Sequence, residues 1–234
     1  MGDSLAQNDM TVDSNDQPAA RVPYRIETER LVVRCYDPED AEALLVRCAE
    51  NREHLLPWLI WAEAEPQTLD EKLELILGFR SRYDSGENSV MGIFEKASGE
   101  LVGGTGLHPC EGLKLSNTRE IGYWICADRE GRGYVTEAVE ALLVVAFRWL
   151  RVATVVVRCE PDNLRSRTIP ERLGFTCEGL LRGTHLRANG DPAPAYRYCM
   201  TDAEFEESEL ATEWRKDPGR VVAFDALGRR VSIR

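Results

Sequence analysis

Two glycines, Gly131 and Gly133, join a strand-like run over residues 120–125 to a long apolar helical stretch over 138–149. No other junction restricts the fold as much. Glycine turns the backbone into conformations closed to other residues, so successive amides converge on one point. The positive end of the following helix lies behind them, and the result is an anion site suited to a pyrophosphate. The amides from Gly131 through Tyr134 and Val135 to Thr136 would form the cradle, and the Thr136 hydroxyl can add a donor. Arg129 and Arg132 stand within reach of phosphates, although a solvated loop explains both equally well. A lone Gly-x-Gly says little. This one is answered downstream by Asn163 and Ser166 and by the run Arg172, Leu173, Gly174, Phe175.

The 234 residues suit one ordinary domain with appendages, and 43% hydrophobic with 29% charged residues is a globular balance. A net charge of −11 opposes nonspecific binding to nucleic acid or to an anionic membrane, because both require a cationic face. Cys35, Cys48, Cys110, Cys126, Cys159, Cys177 and Cys199 are odd in number and scattered, which reads as reduced, mostly buried thiols. The first residues carry neither a basic nor an apolar leader segment, and the longest apolar run, 141–147, ends at Arg148. A soluble cytoplasmic protein is expected. No His, Cys and carboxylate cluster has metal-ligand spacing, and no Gly-x-Ser-x-Gly elbow marks a hydrolase.

Residues 1–22 read as a disordered acidic arm, 23–204 as the main folded domain and 205–234 as an added helix with a possible hairpin. Asp37 and Pro38 start one helix, and Thr68 with Glu71 forms a capping box for a helix running to Gly86. Strands are expected over 31–36, 89–95, 100–107, 119–126 and 154–159, the last apolar enough to be buried on both faces. A helix over 163–173 contains Pro170, which removes a hydrogen bond unless regular helix begins near Ser166. Two further strands flank Asn189 and Gly190, a hairpin signal. Thr201 with Glu204 opens an acidic helix to about Trp214, and residues 221–233 look like a hairpin packed on the core or on a partner subunit. These elements give an α/β chain of mixed α+β type: one domain with a central twisted mixed sheet and helices on both faces.

Thr28 to Leu31, Glu120 to Trp124, the glycine turn, Asn163 with Ser166, and Pro170 to Phe175 together resemble the GNAT superfamily of N-acetyltransferases, in its RimJ/RimL-type branch. The resemblance covers roughly residues 24–204. One position departs from it: the turn often starts with Gln or Arg three residues before its first glycine, and here that residue is Asp128. The resemblance implies acetyl-CoA as acetyl donor and a primary amine as acceptor, most simply a protein N-terminus. It implies a splayed strand in which Trp124, Ile125 and Cys126 offer backbone groups to the pantetheine arm. It further implies a cofactor contact from Asn163, proton donation from Ser166 to the departing thiolate, and an acceptor site bordered by the Pro-Trp segment. Relatives are often dimers, so a homodimer is a further expectation.

The residues themselves support a narrower set of roles. Glu120 is a charge on an otherwise apolar strand beside Gly122, the first choice for the general base, with a salt bridge as the alternative. His108, just past the preceding strand, is the runner-up. Asn163 is also a good helix N-cap, which needs no function. His54, Trp58 and Trp61 wall the acceptor pocket or pack in the core. The activity expected is direct attack of an amine on the thioester, without a metal. A detoxifying acetyltransferase for an aminoacyl nucleotide or small amine, and a non-catalytic coenzyme-binding module, are the alternatives.

Overall fold

The computed structural model describes residues 21–110, 117–187 and 190–233. The arm expected over 1–22 lies outside them but for its last two residues, as does Asn189 of the expected hairpin. The chain begins with strands β1 (Arg25–Glu27) and β2 (Leu31–Cys35), then helices α1 (Ala41–Glu50), α2 (Arg52–Leu55) and α3 (Leu69–Ser85). Strands β3 (Ser89–Glu95), β4 (Leu101–Pro109) and β5 (Thr118–Ile125) lead to α4 (Tyr134–Val144). Then come β6 (Thr154–Cys159), α5 (Leu164–Arg172), β7 (Thr176–Leu186) and β8 (Pro192–Thr201). The tail adds α6 (Asp202–Glu207), α7 (Glu209–Lys216), β9 (Val222–Phe224) and β10 (Arg230–Val231).

All ten strands form one mixed sheet in the order β10-β9-β1-β2-β3-β4-β5-β6-β8-β7. Its neighbours are antiparallel except for β5 and β6, which run parallel. Helices cover both faces. On one face Leu44 and Cys48 of α1 and Ile76 of α3 pack with Phe94, Leu101 and Tyr36. On the other, α4 lies against Val33, Ile93, Ile121 and Val155, and the tail covers its back with Phe205, Ala211 and Trp214. Ala138, Val139, Leu142 and Leu143 are fully buried, as a helix apolar on nearly every side must be. No helix among the described residues is long and apolar enough to cross a membrane. All seven cysteines are unpaired.

Local chemistry accounts for several boundaries. Both capping boxes form: Thr68 with Glu71, and Thr201 with Glu204, exchange their reciprocal hydrogen bonds. The acidic helix expected to run to Trp214 is instead two helices, because the Ser208 hydroxyl accepts from the Ala211 amide and caps a new start. Helix α4 begins at Tyr134, a turn earlier than its apolar pattern, and closes in a widened π turn over Val145–Trp149. That turn presents Arg148 to Glu206 and to the rings of Phe205 and Trp214. The tail packs on the chain's own sheet, with β9 pairing β1, a strand that the sequence pattern does not reveal. Helix α5 starts at Leu164, so Pro170 lies inside it.

Candidate active site

The parallel pairing of β5 and β6 runs from Thr118 opposite Thr154 to Glu120 opposite Val156, and among the described residues it stops there. Beyond Glu120 the strands part, while β5 stays paired with β4 as far as Ile125. Cys126 donates its amide to the Val102 carbonyl at 2.8 Å. Strand alternation then turns the backbone groups of Trp124 and Cys126 toward β4 and those of Tyr123 and Ile125 into the gap. Of the three residues expected to offer backbone groups, only Ile125 has them facing the gap, and Tyr123 joins it. Cys126 is fully buried beneath the cavity, with its thiol pushed up to about 11 by burial. The indole of Trp124 rests on Gly104, where a Cβ would come within 2.3 Å of its nitrogen.

The glycine turn closes one end of the gap. Gly131 and Gly133 have φ of 72° and 78°, the left-handed region that an L side chain resists. The first helical bond runs from Glu137 N to Gly133 O at 3.0 Å, so the amides of Tyr134, Val135 and Thr136 have no partner within the helix. Thr28 and Arg30 hold this turn in place. Glu137 accepts from the Thr28 hydroxyl (2.6 Å), the Arg30 amide (2.9 Å) and the Arg30 guanidinium (2.6 Å). The same guanidinium donates to the Arg132 carbonyl at 2.9 Å. Thus the early Thr28–Leu31 motif acts as a clamp on an element a hundred residues downstream.

A cavity of about 1040 Å³ runs from the gap past this turn to α5, and Gly131, Gly133, Val135 and Thr136 line it. Tyr134 lines it too, with its hydroxyl donated away to Glu95. Arg129 reaches the lining but is paired with Glu100 and Asp128. Arg132 points back to the Asp128 carbonyl at 3.2 Å and is not part of the wall. Asp128, where the family pattern has Gln or Arg, is thereby tied into its own turn.

Glu120 lines the cavity and takes a two-pronged ion pair from Arg158, at 2.9 and 2.6 Å. The salt bridge and the accessible carboxylate therefore coexist, since the open gap leaves Glu120 reachable while Arg158 fixes its direction. The space beside Gly122 is filled by His108, whose ring also covers Gly106, where a Cβ would approach within 2.6 Å. His108 Nδ1 meets Asn88 Oδ1 at 2.7 Å. Burial lowers its pKa against the opposing pull of Glu120.

On the opposite wall Asn163 caps α5, its side-chain oxygen accepting from the Ser166 amide at 3.1 Å. Both residues line the cavity. Tyr123, which the sequence reading passed over, reaches Ser166 twice. Its hydroxyl donates to the Ser166 carbonyl at 3.0 Å and accepts from Ser166 Oγ at 3.2 Å. Burial holds the phenol well above its ordinary pKa, so it stays protonated. Cys159 also lines this wall, its thiol pushed up to about 11 by burial.

His54 and Trp58 also line the cavity, with His54 Nε2 3.6 Å from an oxygen of Glu130, just before the glycine turn, whose carboxylate also holds Arg165. Trp61 stands behind them. Its ring meets the edge of Trp124 at 5.9 Å, so it supports the wall without forming it. Among the described residues no group of His, Cys, Asp and Glu has the arrangement of a metal site. The backbone amides of the turn and of the gap-facing strand edge fit a diphosphate followed by an extended amide-bearing arm.

Comparison with known proteins agrees with this geometry. The family model for the acetyltransferase (GNAT) domain matches residues 30–176. The chain is 32% identical over 179 residues to YdaF of Bacillus subtilis (strain 168), a ribosomal N-acetyltransferase candidate, covering 76% of this chain and 94% of that one. It is 28% identical over 166 residues to the [ribosomal protein uS5]-alanine N-acetyltransferase of Escherichia coli (strain K12), covering 66% and 79%. The fold matches that of Mycobacterium smegmatis RimJ in complex with CoA-disulfide, with a TM-score of 0.68 at 24% identity over 86% of this chain and 93% of that one. The chain belongs to the GNAT family of acetyltransferases, a family that uses acetyl-CoA, and its relatives include proteins named as ribosomal N-acetyltransferases.

Proposed function

We propose that this chain is a cytoplasmic enzyme that transfers the acetyl group of acetyl-CoA to the N-terminal amine of a protein, by direct attack of the amine on the thioester. The observation that carries this reading is the parting of β5 from β6 beside the glycine cradle, with Ser166 on one wall and Glu120 on the other. Acetyl-CoA supplies an acyl group already activated as a thioester. The amides of Gly131 to Thr136 hold its diphosphate. The gap-facing groups of Tyr123 and Ile125 pair with its arm, and one of their amides takes the negative charge that grows on the acyl oxygen. Glu120, aimed by Arg158, accepts the proton of the attacking amine, directly or through one water. The Ser166 hydroxyl gives a proton to the departing sulfur. His54 and Trp58 border the acceptor, and the names of the relatives acting on ribosomal proteins favour a protein acceptor.

The test is thiol release from acetyl-CoA in the presence of peptides with different N-termini, free amines and aminoacyl adenylates. Turnover is expected with one subset of peptides. Turnover restricted to adenylates would replace the protein acceptor with a nucleotide one, and acetyl-CoA binding without turnover on any acceptor would leave only a binding module.

A further inference from the structure

Inside α5, the amide of residue 170 would ordinarily donate to the carbonyl four residues earlier, that of Ser166. Pro170 has no amide, and its ring crowds that same carbonyl. A carbonyl left over inside a helix needs another donor. It finds one across the cavity, where the Tyr123 hydroxyl donates to it at 3.0 Å. The phenol oxygen then accepts from Ser166 Oγ at 3.2 Å, and the Ser166 amide is taken by Asn163 Oδ1 at 3.1 Å. Amide, carbonyl and hydroxyl of Ser166 are therefore all fixed by groups outside the helical ladder. Pro170 is itself buried, while Ser166 is half-buried on the cavity wall.

We propose that Pro170 and Tyr123 are a positioning pair for Ser166: the proline withholds an amide so that the phenol, bound to the freed carbonyl, fixes the place of Ser166 Oγ, whose proton swings from the phenol oxygen to the departing sulfur. The proline is the least favourable residue for a helix interior, and here it opens the helix at Ser166, the residue read as proton donor. This rests on the reading of Ser166 as proton donor. Its structural half stands apart from that reading: the Ser166 carbonyl depends on Tyr123 only because residue 170 is proline.

The experiment is a double-mutant cycle of Tyr123→Phe and Pro170→Ala, read by urea denaturation and by steady-state kinetics. Tyr123→Phe alone leaves the carbonyl unpaired, and its folding equilibrium constant should fall about tenfold. In the Pro170→Ala background, where residue 170 again has an amide, the same change should cost less than about threefold. In kinetics each single variant should lower kcat about tenfold while acetyl-CoA affinity stays within about twofold, and the double variant should be no worse than either. Additive effects in both measurements would overturn the proposal, as would an unchanged kcat in Tyr123→Phe. Should Pro170→Ala not fold, Tyr123→Phe decides alone through its kcat and its affinity. Ser166→Ala separates the two readings: if it leaves kcat unchanged while the denaturation cycle is non-additive, the proton-donor role fails and only the pairing of Tyr123 with the carbonyl that Pro170 frees survives.

Discussion

On the proposed reading, the donor end of the cavity is built from backbone and the acceptor end from side chains. At the donor end the binding groups are amides of Gly131 to Thr136 and the gap-facing groups of β5. Their positions are set by two left-handed glycines, a helix start and a strand that loses its neighbour. On that reading the acceptor-end groups are Glu120, His54 and Trp58, and two of them lean on partners far away in the chain: Glu120 on Arg158, and His54 on Glu130, the residue just before the glycine turn. A backbone-built site tolerates varied side chains but not a misplaced Cβ. A side-chain site is open to retuning by one substitution. That contrast suits an enzyme family that keeps one donor and changes acceptors.

The contrast can be broken most sharply at Gly131. A Cβ there meets nothing within 4 Å, so Gly131→Ala costs only the strain of φ 72°. Gly131→Asp adds a charge facing the diphosphate, and acetyl-CoA affinity by calorimetry should fall about a hundredfold or more, well beyond the alanine variant. Equal losses would mean that the cradle does not contact an anion. Next in size, Glu120→Gln should lower kcat on the order of a hundredfold with acetyl-CoA affinity unchanged. A parallel loss of cofactor affinity would assign Glu120 to structure.

Smaller effects separate the two tryptophans. Trp58→Ala should raise the acceptor KM several-fold, about 1 kcal/mol of lost contact, whereas Trp61→Ala, which removes only the support behind Trp124, should change it less. The reverse order would move the acceptor to the outer face of Trp61. The smallest effect concerns His108, whose pKa is lowered by burial. The unfolded chain then binds a proton before the native one does. Its contribution to stability is whole above the unfolded value of about 6.5 and is lost as pH falls from there through the native value. Denaturation midpoints between about pH 7 and 5 should therefore decline more steeply in the parent than in His108→Gln. Parallel curves would remove His108 from the pH response.

Much of the donor end was readable from residue order because its signals are local. Gly131 and Gly133 precede an apolar helix, Asn163 lies three residues before Ser166, and the two capping boxes announce their helices. Even there, alternation along β5 decides which amides face the gap. Residues 124–126 share one short run, and only the pairing of Cys126 with Val102 reveals that Ile125 and Tyr123 face outward. The acceptor end resisted because its partners have no fixed spacing. Arg158 lies 38 residues from Glu120, and no periodicity connects them. The Arg30–Glu137 clamp is longer still, although the early Thr28–Leu31 motif marked its position. The four glycines of β3 and β4 carried a signal that was missed, since Gly104 and Gly106 are seats for the rings of Trp124 and His108.

The three residue pairs that join β5 to β6 also divide the sheet mechanically. Seven strands lie on one side of them and three on the other, so two half-sheets meet at a short seam beneath the cavity. The buried core runs on beneath it from Ile93 and Ile121 to Val155 and Tyr198, so the halves are joined below the edges that stand apart. A ligand arm that pairs with both edges acts as a missing strand, stiffening the whole sheet from its centre.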